Sequence, residues 1–200
     1  MIIIMYRVKH DRTGEFAMRY PAAETAEKHQ RILDAASRLF RQRGFADVSV
    51  AEIMQATGLT HGPFYNHFPS KQALMAEAVA HASAQTFGRI TNADPSEAGK
   101  AAYLSAYLST AHRDDPGDGC LMASLASDIA REPAVKRAMT THLKALIDRM
   151  AAHFPWRTRR DARGDTIRLL ASTVGALILA RAVDDDALSA EILHEAGRAR

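Results

Sequence analysis

Within seven residues the chain sets a phenol, an amide, an imidazole and an ammonium side by side: Tyr65, Asn66, His67 and Lys71. Together with the hydroxyls of Ser49 and Thr60 they suit a phosphate backbone better than a reaction. Phenol, imidazole and ammonium groups donate to phosphate oxygens. A hydroxyl beside the unpaired N–H groups of a helix N-terminus makes a ready anion site. Asn66 can pair in bidentate fashion with adenine, and apolar atoms of Pro63 can meet a thymine methyl. His61 is the third side chain able to reach base edges, and Gly62 lies in the same stretch. A separate point of chemistry is Cys120, the one cysteine, which follows Asp118-Gly119 and opens an apolar run. A helix N-terminus favours a reactive thiolate, whereas the carboxylates of Asp114, Asp115 and Asp118 oppose one. The other reading of Cys120 is a small core residue.

These side chains need a scaffold, and residues 49–71 supply its pattern. Ser49 with Glu52 three residues on is a capping box. Val50, Ile53 and Met54 form one apolar face. Gly58 stands where a left-handed residue ends a helix, and Thr60 and Pro63 suit the start of the next. Two short helices joined by a glycine-containing turn are a helix-turn-helix, whose second helix enters a DNA major groove.

The remainder reads as helices. Ile32, Leu33, Ala36, Leu39 and Phe40 make an amphipathic helix that Gly44 ends, with Arg31, Arg38, Arg41 and Arg43 off the apolar stripe. Ser70 caps a helix over about 71–90. Further helices are expected near 97–112, 120–129, 134–153, 161–183 and 186–197, with turn-rich breaks at 91–96 and 113–119. No strand alternation or short repeat is visible. The expectation is an all-α chain of about nine helices.

Composition agrees with a globular protein of 200 residues that is 47% hydrophobic and 24% charged. No apolar run reaches the roughly 20 residues of a membrane span, and no export signal is seen, so the cytoplasm is the expected compartment. Residues 1–71 hold ten Lys/Arg and seven Asp/Glu, whereas the rest holds sixteen of each. The whole positive excess therefore accompanies the helix-turn-helix. Met18 is an alternative start to Met1. Arg19, Lys28 and Arg31 form a candidate N-terminal arm on DNA. The nine histidines are scattered, and no metal site or cofactor is expected. Nucleophile elbow, glycine-rich phosphate loop and paired carboxylates are all missing, which argues against an enzyme.

The run from Arg31-Ile32-Leu33-Asp34-Ala35-Ala36 through Leu39-Phe40, Gly44-Phe45 and Ser49-Val50, then Ile53, Ala56, Gly58-Leu59-Thr60, Gly62, Phe64-Tyr65, His67-Phe68, Lys71 and Leu74, resembles the TetR family of transcriptional regulators. The resemblance implies a three-helix DNA-binding head over 25–72, preceded by an extension over 1–24. It implies a ligand-binding and dimerisation body over 73–200. It also implies a homodimer on a palindromic operator, usually as a repressor released by a small-molecule effector that moves the fourth helix. DNA contact falls to Ser49, Thr60, His61, Gly62, Pro63, Tyr65, Asn66, His67 and Lys71. Candidate pocket residues are Phe87, Tyr103, Tyr107, Met122, Leu125, Leu143, Ile147 and Met150, a set suited to an apolar ligand. Some relatives with a similar Gly-Cys-Leu segment answer oxidants or electrophiles through the thiol, which makes Cys120 a sensor candidate. A helix apolar on several sides must be buried twice. Leu169, Leu170, Val174, Leu177 and Ile178, with Leu188 and Ile192 beyond, are thus the expected dimer interface. The competing function is a helical small-molecule-binding or interaction protein whose head does not use DNA.

Overall fold

The computed structural model describes residues 22–60 and 62–198, so Met1, Met18, Arg19 and His61 lie outside the described residues, as does the expected extension up to residue 21. Ten helices follow in order: α1 Ala22–Arg43, α2 Val50–Ala56, α3 Phe64–His67, α4 Lys71–Asn92, α5 Glu97–Tyr107, α6 Thr110–Asp114, α7 Leu121–Ile129, α8 Pro133–His153, α9 Ala162–Ala182 and α10 Asp186–Arg198. No strand occurs among the described residues. The chain is all-α, as expected. The tenth helix arises where one was expected over 97–112. There Ser109 turns extended and its hydroxyl accepts the His112 N–H at 3.1 Å, which starts α6 afresh.

Local chemistry fixes the head. Ser49 Oγ accepts the Glu52 N–H at 3.2 Å, and Glu52 Oε2 accepts the Ser49 N–H at 2.8 Å. At the far end of α2, Gly58 adopts φ +69°. Its N–H bonds Gln55 O at 3.0 Å and the Leu59 N–H bonds Met54 O at 3.1 Å. This is the paired closure of a Schellman motif. Arg31 donates to Thr57 O, covering one more open carbonyl of α2.

One core joins head to body. Ile32, Phe40, Phe45, Ile53, Phe64 and Phe68 are buried with Leu74, Met75 and Val79 of α4, and the same cluster continues to Leu125 and Ile129 of α7 and Val135 of α8. The boundary expected at 72/73 falls inside α4, which runs unbroken from head to body. Two smaller clusters fill the body. One holds Leu108, Leu177 and Leu193, the other Ile90, Leu146, Met150 and Phe154. Among the described residues no helix is long and apolar enough to cross a membrane.

Arg41 departs from the expected solvent-facing charge set. It is buried, donating to Ser37 O at 3.1 Å and Gly119 O at 3.3 Å. Burial lowers its pKa against the raising effect of Asp118. Arg38 pairs with Asp118 and lies 3.7 Å from Asp115, and Arg89 donates to Asp118 O at 3.1 Å. Three arginines from α1 and α4 therefore grip the loop over 115–119, and the carboxylates expected to oppose a Cys120 thiolate are turned toward cations.

Candidate nucleic-acid interface and effector cavity

The short helix α3 is held by its aromatic residues. Phe64 and Phe68, four residues apart, are fully buried. Phe68 stacks on His29 of α1 with ring centroids 4.4 Å apart. Tyr65 meets the edge of Phe64 at 5.1 Å yet remains 65% exposed. Asn66, Thr60 and Gly62 are exposed beside it, and Pro63 is half-buried at the N-cap. Anchored rings thus leave a phenol, an amide and a hydroxyl on the outer side.

Other expected contacts are already engaged within the chain. Both the Ser49 hydroxyl and its N–H are bonded to Glu52, so Ser49 serves the cap and not an anion. The Ser49 N–H first, then its hydroxyl and Arg43, hold the Glu52 carboxyl down at about 2. Lys71 Nζ donates to Phe45 O at 2.6 Å, tying the start of α4 to the corner after α1. Lys28 pairs with Glu24 at 2.8 Å, and Arg31 closes α2. His67 is half-buried, and burial, then His29 and Lys28, lower its pKa. A side chain near a helix terminus often satisfies that terminus first; the Ser49 hydroxyl is spent on its own cap, whereas Lys71 keeps further N–H donors beyond the one given to Phe45 O.

In the body, α4, α5, α7, α8 and α9 enclose a cavity of about 50 Å³. Tyr103, Tyr107, Met122 and Met150 line it as expected, and Cys120 shares the wall. Phe87 stands one layer behind, stacked on His142 at 5.6 Å. Leu125, Leu143 and Ile147 do not line it. Leu125 belongs to the head-side core, Leu143 is 37% exposed, and Ile147 is buried elsewhere on α8. The inward positions of α8 are instead His142, Leu146 and Met150, spaced by four, so Leu143 and Ile147 are rotated about 100° away. His142 was obscured in the sequence by being polar, although its spacing from Leu146 and Met150 was a usable signal. Its burial pushes the imidazole pKa down to about 4. Burial, then Cys120, pushes the Tyr103 phenol up to about 12 and the Tyr107 phenol higher still. All three are uncharged at neutral pH.

A pH prediction follows for His142. Its folded pKa near 4 lies below the ordinary 6.5, so the unfolded chain binds the extra proton first. Stability is fully present above 6.5 and falls as pH drops toward 4, by up to about 3 kcal/mol. Urea melts at pH 7 and 4.5 check this, and His142→Phe is expected to flatten the difference.

A wider cleft of about 770 Å³ opens between α5 and α9. Among its charged residues, Arg168 pairs with Asp165, and Lys100 stands over the Trp156 ring at 3.7 Å.

The expected dimer set divides. Leu177 is fully buried inside its own subunit, and Leu169 and Leu170 pack on the Phe154 cluster and line the cleft and the cavity. Those three face their own body, on the side of α9 set by Thr166, Thr173 and Ala180. Ile178 and Leu188 are exposed, Val174 and Ile192 half-buried. Ile167 and Leu179 are exposed as well, at 45% and 58%. Ile167, Ala171, Val174, Ile178 and Ala182 recur at i, i+4, i+7, i+11 and i+15, an unbroken apolar stripe on α9.

Residues 32–78 match the model of the bacterial regulatory proteins of the tetR family. The chain is 36% identical over 74 residues to the uncharacterised HTH-type transcriptional regulator YerO of Bacillus subtilis, covering 37% of this chain and 26% of the relative. It is 32% identical over 95 residues to the HTH-type transcriptional repressor KstR2 of Rhodococcus jostii, covering 46% and 47%. The chain thus spans between about a quarter and a half of the curated relatives it matches. Among solved structures, a TetR-family transcriptional regulator of Agrobacterium tumefaciens superposes with a TM-score of 0.70 at 25% identity, over 86% of this chain and 97% of the other. The reduced form of Escherichia coli NemR shares the fold, with a TM-score of 0.71 at 19% identity over 86% and 94%.

Proposed function

This chain belongs, through its head, to the TetR family of bacterial regulators, and from that premise we propose that it is a DNA-binding transcriptional repressor, dimeric on a palindromic operator and released by a small molecule. The observation that carries the reading is α3 itself: Phe64 and Phe68 are locked in the core while Tyr65, Asn66 and Thr60 face outward. A helix held so rigidly presents its polar face without an ordering cost, which suits groove recognition. In this reading residues 25–72 are the head and 73–200 the effector and dimer body. The contact set is Thr60, Gly62, Pro63, Tyr65, Asn66, His67 and the remaining donors of Lys71, with His61 joining from outside the described residues. The protein acts in the cytoplasm and catalyses nothing. Its partners are duplex DNA, a second copy and an uncharged or apolar effector held in the α4–α9 cavity.

Selection from random duplex DNA tests the reading by yielding a two-fold-symmetric consensus with half-sites spaced by about a helical turn or more. On that consensus, Tyr65→Phe keeps the ring on Phe64 and removes the phosphate donor. It is expected to weaken binding about tenfold, with the melting temperature unchanged. Unaltered affinity of both Tyr65→Phe and Tyr65→Ala for every selected sequence would remove the basis of the proposal.

A further inference from the structure

The wall of the α4–α9 cavity holds two polar atoms that no nitrogen or oxygen of the described residues satisfies, Tyr107 Oη and His142 Nδ1, both shut away from solvent; the Tyr107 hydroxyl has only a weak partner, the Cys120 thiol, beside it. His142 is only 3% exposed. Each such atom costs about 1–3 kcal/mol, and native proteins leave few of them unexplained. The neighbouring polar groups are already committed. Thr86 Oγ1 donates to Ala82 O at 3.1 Å and Thr173 Oγ1 to Leu169 O at 2.8 Å. His112 Nδ1 lies 2.6 Å from Tyr107 O, and Arg89, exposed at the mouth, holds Asp118 O. What remains is apolar and partly aromatic, chiefly Tyr103, Met122, Leu146, Met150 and Leu170, and the wall contains no carboxylate.

We propose that this cavity recognises a small, uncharged, single-ring aromatic bearing one hydroxyl or carbonyl oxygen, which the Tyr107 hydroxyl and the His142 imidazole bind together. The inference rests on the effector reading above and names the chemistry of that effector. A cation finds no counter-charge in the wall. An anion would lie against two uncharged groups, and the guanidinium in the wall, Arg89, is exposed to solvent and donates to the backbone oxygen of Asp118. An apolar ring alone would leave both polar atoms unpaired. The resting volume of about 50 Å³ is below what a benzene-sized guest occupies. Met122 and Met150, unbranched and adaptable, are the walls able to yield.

The full-length protein, titrated calorimetrically with phenol, acetophenone, toluene, benzoate and benzylamine, tests this. Phenol or acetophenone is expected to bind at least tenfold more tightly than toluene and either ion. A site built to bond an oxygen rejects the analogue that lacks it. Tyr107→Phe and His142→Phe are each expected to raise the melting temperature of the ligand-free protein and to cut phenol affinity about tenfold, leaving toluene unchanged. Three results overturn the proposal: no binding of either oxygen-bearing probe, benzoate binding more tightly than phenol, or both variants lowering the melting temperature with phenol affinity intact. The last would mean that buried water satisfies these atoms. Operator binding is measured separately with and without phenol. Oxygen-dependent binding that leaves the operator complex untouched would refute the effector reading and keep the cavity's chemistry. Release by a probe that ignores both variants would do the reverse.

Discussion

Ile178→Glu is expected to yield a folded monomer that no longer holds its operator. Ile178 is 43% exposed at the middle of the α9 stripe, between Val174 and Ala182 and beside Leu179 at 58%. Over the run from Ile167 to Ala182 this face carries Ile, Ala, Val, Ile and Ala without a charge. Leu188 extends it onto α10. An apolar stripe of this continuity is unusual on a monomer surface and fits the proposed dimer interface. In a two-fold pairing the same helix packs on its own copy, so a single substitution places two carboxylates in one apolar seam. Neither has a cation nearby in the stripe, and an unpaired buried charge is strongly destabilising.

Loss of the pair costs more than a contact. In the proposed dimer each head binds one half-site, and the second head binds at the effective concentration set by the first, which contributes about 10²–10⁴ in affinity. Sedimentation should show a monomer, and operator affinity should fall by about 10²-fold or more, with helical content and melting of the subunit near normal. Leu177→Glu is the contrasting case. Leu177 is fully buried within its own subunit, so that variant is expected to unfold. A dimeric, operator-competent Ile178→Glu protein would move the interface off α9.

Sequence reading located the head because its signals are local. The Ser49–Glu52 box and Gly58 each declare themselves within four or five residues, and the structure forms both. It located the body's helices for the same reason. What it misassigned depends on neighbours distant in the chain. Arg41 looks solvent-facing on α1 until the loop 78 residues later supplies Gly119 O. Lys71 looks wholly free for a partner until Phe45 O takes one of its donors. On α9 the pattern is apolar all round, so periodicity alone cannot say which side meets its own body. Leu177 and Ile178 are adjacent in sequence, yet one is sealed in the core and the other open. On α8 hydropathy favoured Leu143 and Ile147 over His142, and the tertiary fold turned the imidazole inward.

Gly44→Ala is expected to destabilise the chain by about 2–4 kcal/mol and to weaken the link between cavity and head. Gly44 adopts φ +82°, where an added Cβ costs about 1 kcal/mol. Here the Cβ would also stand 2.6 Å from Asp128 Oδ2. That oxygen accepts the Phe45 N–H at 3.0 Å, and displacing it leaves a backbone donor unpaired beside the core, a further cost of about 1–3 kcal/mol. Gly58, at φ +69° with only Arg31 Nη2 at 4.0 Å, meets the first cost alone, so Gly58→Ala should lose about 1 kcal/mol. Asp128→Ala removes the obstacle, and in that background Gly44→Ala should also fall to about 1 kcal/mol, a coupling readable in a double-mutant cycle. Additive costs would show that Asp128 is not the cause. The functional consequence follows from where α7 ends. Its N-cap, Cys120, lies in the cavity wall, while Asp128 near its C-terminus holds the corner between α1 and α2. A ligand that shifts the first turn of α7 therefore moves a carboxylate bonded to the head, alongside any movement of α4. Asp128→Ala should leave effector affinity unchanged and reduce the effector's ability to dissociate the operator complex, measured as the ratio of operator affinities with and without ligand.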